Sequence, residues 1–433
     1  MGSLVYPGWT MSIVPAESLH DNPLLRRVWE GLGRPSGYLV GGFLRDHLLG
    51  RYSTDLDFTL EGSVDDAAGP AGRLGEALGV RAHLIGQPPR CVWRIESDDL
   101  KVELWPLGSL SLDDDILRRD FKCNALAWHM PDGPLIDKVG GLEDIRCGRL
   151  TAVARGNLQD DPVRLLRGPR FVAQLEAFSI EHQTAHWIRE LAPRLSYAPR
   201  ARVGQELLQT LQGPAAEQGI HSILNLGLLR FAAPPECALD TDWLHVNAGA
   251  CTRLACAEDH PVPASLSTAG DSARLVPLMM AWGRPSDASL TDYGWPRHQR
   301  KNAARAASML KQATDAAESG PADRREIIHK AGNAFPALVA AAAAIHDPGP
   351  SSIEHWRRWW AQWTRHGSDL VRPTPLLEAH EVAAILDCGE GPELGAAISA
   401  LTTAQVRGEV RTAGGARRWL RQHLQLHDTN SAR

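Results

Sequence analysis

A strand, two adjacent glycines and a helix, followed by a second strand that carries Asp-x-Asp, constrain this chain more than any other feature. Gly37 to Val40 reads as a strand, Gly41-Gly42 as a tight turn, and Phe43 to Leu49 as a helix closed by Gly50. Two glycines ahead of a helix let the backbone approach a phosphate closely, and the helix start presents free N–H groups to that charge. Asp55 to Leu60 then alternates polar and apolar as a half-buried strand does. Asp55 and Asp57 therefore point to one face and can share a divalent ion. Magnesium favours such oxygen ligands; in a two-metal site one ion activates an attacking hydroxyl while the other steadies the leaving phosphate. On its own an Asp-x-Asp is better read as a solvated strand face, and it is the upstream glycine turn that reverses the choice in favour of a metal site. Glu103, in the alternation Lys101, Glu103, Trp105, is the candidate third carboxylate.

Around this core the pattern predicts an α+β head followed by a helical remainder. A helix from Asn22 to Leu32 stops at Gly33 and Pro35, and Asp65 to Leu78 suits another. Strand-like stretches follow at Val80 to Ile85, Cys91 to Glu96 and Leu100 to Pro106, and Asp113 to Trp128 reads as helix again. Adjacent strands after a single helix imply a mixed or antiparallel sheet. Beyond about residue 150, apolar spacing of three and four marks helices at Pro162 to Leu175, Thr184 to Leu191, Arg200 to Leu211 and Gln218 to Leu228. The Pro-containing stretch from Phe231 to Pro263 suggests a hinge or loop before helices resume. The expected division is an N-terminal lead (1–35), a nucleotidyltransferase-like head (36–150), a helical neck (151–230), a helical body (231–350) and a helical tail (351–433).

A length of 433 residues calls for several structural units, and 43% hydrophobic with 22% charged residues is ordinary for a globular chain. The net charge of −5 argues only weakly against a nucleic-acid partner, because the positive charge is almost all arginine and clustered, as at Arg164, Arg167, Arg170 and Arg417, Arg418, Arg421. Seven scattered cysteines fit reduced thiols better than a disulfide framework, and Cys251, Cys256 and His260 lack a fourth zinc ligand at suitable spacing. No basic segment precedes an apolar run at the N-terminus, and no stretch reaches about 18 uninterrupted apolar residues, so a cytoplasmic protein without a membrane partner is expected. The oligomeric state is not legible in the sequence.

Two further constellations carry chemistry. In Arg118-Arg119-Asp120-Phe121-Lys122-Cys123-Asn124, one arginine of a helix can face the site while Asp120 and Asn124, one turn apart, offer hydrogen bonds to a ribose hydroxyl. Asp137 before Gly140-Gly141 reads equally as a turn or cap and as a functional residue. In Asp160-Asp161-Pro162-Val163-Arg164, Asp161 and Arg164 share a helix face, and such an acceptor and forked donor can read a base's Watson–Crick edge. By itself the pair is better read as an intrahelical salt bridge at a helix start. The tryptophans at 356, 359, 360 and 363 have helical spacing and fit core packing better than base stacking, while Arg357, Arg358 and Arg365 could touch an RNA backbone. His346-Asp347 stands without partner histidines and reads as a loop rather than a phosphohydrolase centre.

In this order the motifs resemble the class II tRNA nucleotidyltransferases and bacterial poly(A) polymerases of the DNA polymerase beta superfamily, strongly from Leu39 to Leu175 and faintly to Trp419-Leu420. The resemblance implies a polymerase-beta-like head with an all-helical neck, body and tail. It also implies Mg2+ at Asp55 and Asp57, and tRNA with CTP or ATP as partners. Gly41, Gly42, Arg45 and Asp46 match the triphosphate-binding motif, and Arg118, Arg119, Asp120 and Asn124 the motif that recognises ribose and phosphate. Asp161 and Arg164 match the pair that selects CTP or ATP, with Arg167 and Arg170 in the same motif. Leu44 stands where relatives usually have Val, and Lys138 where they have Pro. Only positions 104 to 117 separate Glu103 from Arg118, where CCA-adding relatives carry a longer flexible loop. That shortness favours a CC-adding enzyme over a full CCA-adding or A-adding one. Poly(A) polymerase and a non-catalytic RNA-binding homologue are the alternatives; the first lacks its usual basic C-terminal extension here, and the intact carboxylates speak against the second.

Overall fold

The computed structural model describes residues 14–87, 90–256, 260–316, 318–345 and 350–430. They divide into two compact units: the described residues up to Pro199 with Asn225–Phe231, and Arg200–Leu224 with the described residues from Ala232 onward.

In the first unit the apolar face of helix α1 (Pro23–Gly31) buries Leu25, Val28 and Trp29, and Asn22 caps its start through Oδ1, which accepts from the Leu24 and Leu25 N–H groups. Strand β1 (Gly37–Val40) leads through Gly41 into α2 (Gly42–Leu48), and β2 (Asp55–Leu60) returns antiparallel to β1, with Val40 opposite Asp57. Helix α3 (Val64–Leu78) begins at a Ser63–Asp66 capping box and ends at Gly79, whose φ of 70° is left-handed. Strands β3 (Ala82–Gln87), β4 (Arg90–Ser97) and β5 (Leu100–Pro106) form a meander, and β5 closes the sheet by running parallel to β2.

Helix α4 (Leu112–Leu117) and a 3₁₀ turn (Lys122–Asn124) precede β6 (Leu126–His129) and β7 (Leu135–Asp137). The sheet is mixed and seven-stranded, in the order β3-β4-β5-β2-β1-β6-β7. Its core is a contiguous cluster that includes Leu39, Phe43, Leu56, Phe58, Val102, Leu104, Phe121 and Trp128. Helices α5 (Gly141–Arg146), α6 (Arg155–Asp160), α7 (Arg164–Gln174) and α8 (His182–Leu191) follow.

The mixed sheet followed by helices is the α+β arrangement anticipated from the pattern, with three corrections. The expected helix from Asp113 to Trp128 ends at Leu117: the buried Asp120 side chain takes the Phe121 N–H at 2.8 Å, Phe121 is extended, and Leu126–His129 pairs with β1 instead. The expected helix from Pro162 is α-helical only from Arg164: Asp161 is extended at φ −133° and ψ 90°, as the residue before a proline prefers, and Pro162 and Val163 form a hydrogen-bonded turn that leads into the helix. The stretch from Phe231 to Pro263 is not irregular throughout, since it holds helices Thr241–Val246 and Ala248–Ala255.

The second unit is helical. Helix Phe335–Ile345 is buried from Phe335 through Ala344. Trp356 and Trp359 are buried, and Phe335 stacks on Trp359 and Trp363 with centroids 6.2 and 5.1 Å apart, so the tryptophan stripe is core. Among the described residues one helical run, Pro321–Ile345, is long and apolar enough to cross a membrane, and 78% of its apolar window is buried inside the fold. His260 accepts the Val262 N–H on Nδ1 and its Nε2 lies 2.9 Å from the Ala340 carbonyl, which commits both ring nitrogens. His346-Asp347 lies outside the described residues.

Candidate active site

The parallel pairing of β2 with β5 places Asp55 beside Lys101 and Asp57 beside Glu103, so the three carboxylates share one face of the sheet. Asp55 is the most open, and Lys101 Nζ donates to both of its oxygens at 3.0 and 3.1 Å. Glu103 is buried, held through Oε1 by Arg94 Nε and Nη2 at 2.9 and 2.6 Å, with Lys101 Nζ at 3.5 Å. Asp57 lies between them. Burial, then the charges of Asp55 and Glu103, push its carboxyl up to about 6, and Arg119 and Lys101 offset only part of that rise. Lys101 is held protonated more firmly than usual: burial opposes its charge, and Asp55, Glu103 and Asp57 outweigh the burial. An oxygen-rich face whose central carboxyl stays raised despite its neighbouring cations fits a hard divalent ion such as Mg2+. Among the described residues no compact cluster of three metal-ligating side chains is preformed, since Lys101 and Arg94 occupy the outer two carboxylates.

Gly41 sits against this face. Its φ of 80° and ψ of −145° lie in a region that only glycine enters readily. A methyl group added there would lie 3.0 Å from Asp57 Oδ2 and 3.3 Å from Arg119 Nη1, so the same point is bordered by the central carboxylate and an arginine. Helix α2 starts one residue later at Gly42, and no side chain caps its first N–H groups.

Behind the turn, the predicted triphosphate and ribose residues grip one another. Buried Arg45 donates Nε and Nη2 to Asp46 at 3.0 and 2.9 Å and Nη1 to Asn124 Oδ1 at 2.6 Å. Asn124 in turn donates to Asp120 at 3.4 Å, and Asp120 pairs with Arg167 at 2.8 Å. Burial alone would raise the Asp120 pKa, yet Arg167, the Phe121 N–H, Arg164 and Asn124 hold it below its ordinary value. Arg45, Arg167 and Arg170 all lie over the Phe171 ring, at 5.1, 5.5 and 4.5 Å from its centroid. Asp120 and Asn124 were expected to reach a ribose from one helix face; they sit instead on a turn and a 3₁₀ segment, engaged with neighbours of the chain.

Of the paired arginines, Arg119 reaches the site, anchored by Asp115 at 2.7 Å, whereas Arg118 caps α4. Asp161 and Arg164 do come together, at 3.8 Å, across the turn that Pro162 imposes rather than along a helix. Asp137 accepts the N–H groups of Gly140, Gly141 and Leu142 at 2.8 to 3.0 Å, a capping role. Sequence reasoning missed Arg94, Asp115 and Phe171. Arg94 was accessible in principle, because the short turn at Asp98-Asp99 fixes the β4–β5 register that sets it opposite Glu103.

Comparison with known proteins bears on this arrangement. Residues 91–151 match the family described as the poly A polymerase head domain, and 177–238 the probable RNA and SrmB-binding site of polymerase A. The A-adding tRNA nucleotidyltransferase of Deinococcus radiodurans is 30% identical over 435 aligned positions, covering 90% of this chain and 95% of the relative. The chain belongs to the class II tRNA nucleotidyltransferase family. A second family member, the CC-adding tRNA nucleotidyltransferase of Thermus thermophilus, is 29% identical over 88% of this chain and 92% of its own. In fold, this tRNA nucleotidyltransferase resembles the Bacillus stearothermophilus CCA-adding enzyme solved with CTP, with a TM-score of 0.71 over 94% of this chain and 100% of the other at 22% identity.

Proposed function

We propose that this family member adds nucleotides, without a template, to the 3′ end of tRNA, and that it stops after CC. The observation that carries the reaction is the face of Asp55, Asp57 and Glu103 set against the Gly41 turn. There the tRNA 3′-hydroxyl, losing its proton to solvent, attacks the α-phosphate of CTP, a P–O bond forms, and the bond to pyrophosphate breaks. Divalent cations held by Asp55 and Asp57 would supply the positive charge for that exchange, and Glu103, braced by Arg94 and Lys101, is the third carboxylate of the face. The Gly41-Gly42 turn and Arg119 receive the triphosphate, Arg118 lies next to them, and Arg45, Asp46, Asp120, Asn124, Arg167 and Arg170 form the frame behind it. Asp161 and Arg164 present an acceptor and a donor to the incoming base in place of a template.

Residues 36–150 serve catalysis in this reading and 151–230 base selection. The helical segments 231–350 and 351–433 grip the acceptor arm through phosphate contacts that weaken as salt rises. The CC-only product is supported by the connection from β5 to α4, which is just Leu107–Ser111 and is tied down by Leu107 and Gly108 N–H bonds to Leu60 and Gly62. The Thermus thermophilus relative carries the same activity in its name.

The test offers tRNA ending at the discriminator base, at C or at CC, with CTP and ATP separately, and resolves products to one nucleotide. Two added C residues and none beyond are expected, with no extension by an Asp55→Ala variant. Addition of A to the CC-ending tRNA defeats the CC-only product; long A tails on unrelated RNA make the enzyme a poly(A) polymerase; extension by Asp55→Ala removes the catalytic assignment.

A further inference from the structure

We infer that Asn157 is a positioning residue that sets nucleotide choice by stapling the end of α4 to Arg164; this rests on the reading of Arg164 as the base-selecting donor. The last carbonyls of a helix have no partner within it, and those at the end of α4 are taken up by α6 and α7. Asn157 Nδ2 donates to the carbonyls of Leu117 and Arg119 at 2.7 and 2.8 Å. The carbonyl between them, of Arg118, accepts from Arg164 Nη1 at 2.7 Å, and the same Nη1 donates to the carbonyl of Asn157 at 3.2 Å. Three consecutive carbonyls are thus held by two side chains, and the Arg164 side chain also bonds the main chain of Asn157.

The staple links two parts of the site that are far apart in sequence. On one side, Arg119 is anchored to Asp115 and borders Asp57 at the Gly41 turn. On the other, a planar guanidinium held through Nη1 by two carbonyls and lying 3.8 Å from Asp161 through Nε has its orientation fixed. Asn is suited to the task because one amide nitrogen carries two donors, which a serine or an aspartate lacks. Removing the side chain frees the 117–119 backbone and with it the Arg118 carbonyl that orients Arg164, while the Asp115 pair still anchors the Arg119 side chain at the carboxylate face. The effect therefore falls on discrimination between CTP and ATP more than on the chemical step.

The experiment measures kcat and KM for CTP, and kcat/KM for misincorporated ATP, on tRNA ending at the discriminator base with the full chain, for wild type, Asn157→Ala, Arg164→Ala and the double variant, with melting curves for each. Asn157→Ser, which keeps one donor, serves if the alanine variant does not fold. The CTP-to-ATP ratio of kcat/KM should change about tenfold in Asn157→Ala, in line with the loss of one to two hydrogen bonds, and by less in Asn157→Ser. The double variant should show the ratio of Arg164→Ala alone, because the asparagine acts through the arginine. A drop in turnover equal for both nucleotides, or factors that multiply in the double variant, assigns Asn157 a purely structural role and overturns the inference. An Arg164→Ala variant with the wild-type ratio removes the base-selection reading itself, and this inference with it.

Discussion

Replacing Asp57 by Asn should make the metal-free protein more stable while abolishing turnover. The carboxyl of Asp57 stands at about 6 against an ordinary 3.8, because it is buried beside Asp55 and Glu103. A shift of about two units at ~1.4 kcal/mol each amounts to about 3 kcal/mol. The folded-state pKa is raised, so between pH 4 and 6, roughly, the folded chain holds a proton that the unfolded chain has released. Stability therefore falls as pH rises through that window, and the whole penalty is present above it. Asn is isosteric and uncharged, so the difference between variant and wild type should be near zero at the acid end and about 3 kcal/mol by pH 7 to 8. For a unit of this size that corresponds to roughly 6 to 12 °C in melting temperature. Scanning calorimetry in EDTA at several pH values reads it directly, and saturating magnesium should raise the wild-type transition while leaving the variant's nearly unmoved. Equal melting at pH 8 without metal, or an advantage for the variant that does not shrink on acidification, would refute the electrostatic account of this face.

Gly41→Ala should destabilise the protein by about 1 to 3 kcal/mol, the usual cost of a side chain in such a backbone region. It should also cut single-turnover extension more than tenfold, since the methyl meets Asp57 Oδ2 and Arg119 Nη1; a variant with wild-type turnover would show that the turn does not shape the site. Asn124→Ala should cost about 2 to 3 kcal/mol in chemical denaturation, because it leaves the buried Arg45 Nη1 without its acceptor. Lys101→Met should depress magnesium-free stability, most strongly above pH 6, and its melting curve should converge on that of the wild type as the carboxylates protonate.

Much of this was legible in the sequence where local pattern and final packing agree. The alternation of Leu100–Pro106 and Asp55–Leu60 survives as strands with those bounds, and the glycine turn lies where its residues required. The pattern failed where a side chain outcompeted it. Leu117, Phe121 and Ala125 have helical spacing, but Asp120 takes a backbone N–H that a helix would need, and Trp128 is buried as part of a strand because β1 supplies a ladder that no local window contains. Asp161 and Arg164 were paired correctly for a partly wrong reason, since the proline between them makes a turn of what looked like a helix face. The pairing of Lys101 with Asp55 depends on the register of the parallel β2–β5 pair, which becomes readable only once the sheet order is known, whereas the hairpin turn already sets Arg94 opposite Glu103.

The relay from Asp46 through Arg45, Asn124 and Asp120 to Arg167 also bears on how such a sequence can change over time. Donors and acceptors alternate along it, so a substitution at Arg45, Asn124 or Asp120 strands a buried neighbour. Single steps away from the arrangement are uphill from those positions, and escape demands coordinated replacements in three stretches of chain spread over more than a hundred residues. Those stretches should therefore drift together or not at all, and a descendant that had lost its chemistry would be expected to keep the relay longer than the open carboxylate of Asp55, whose removal strands nothing buried.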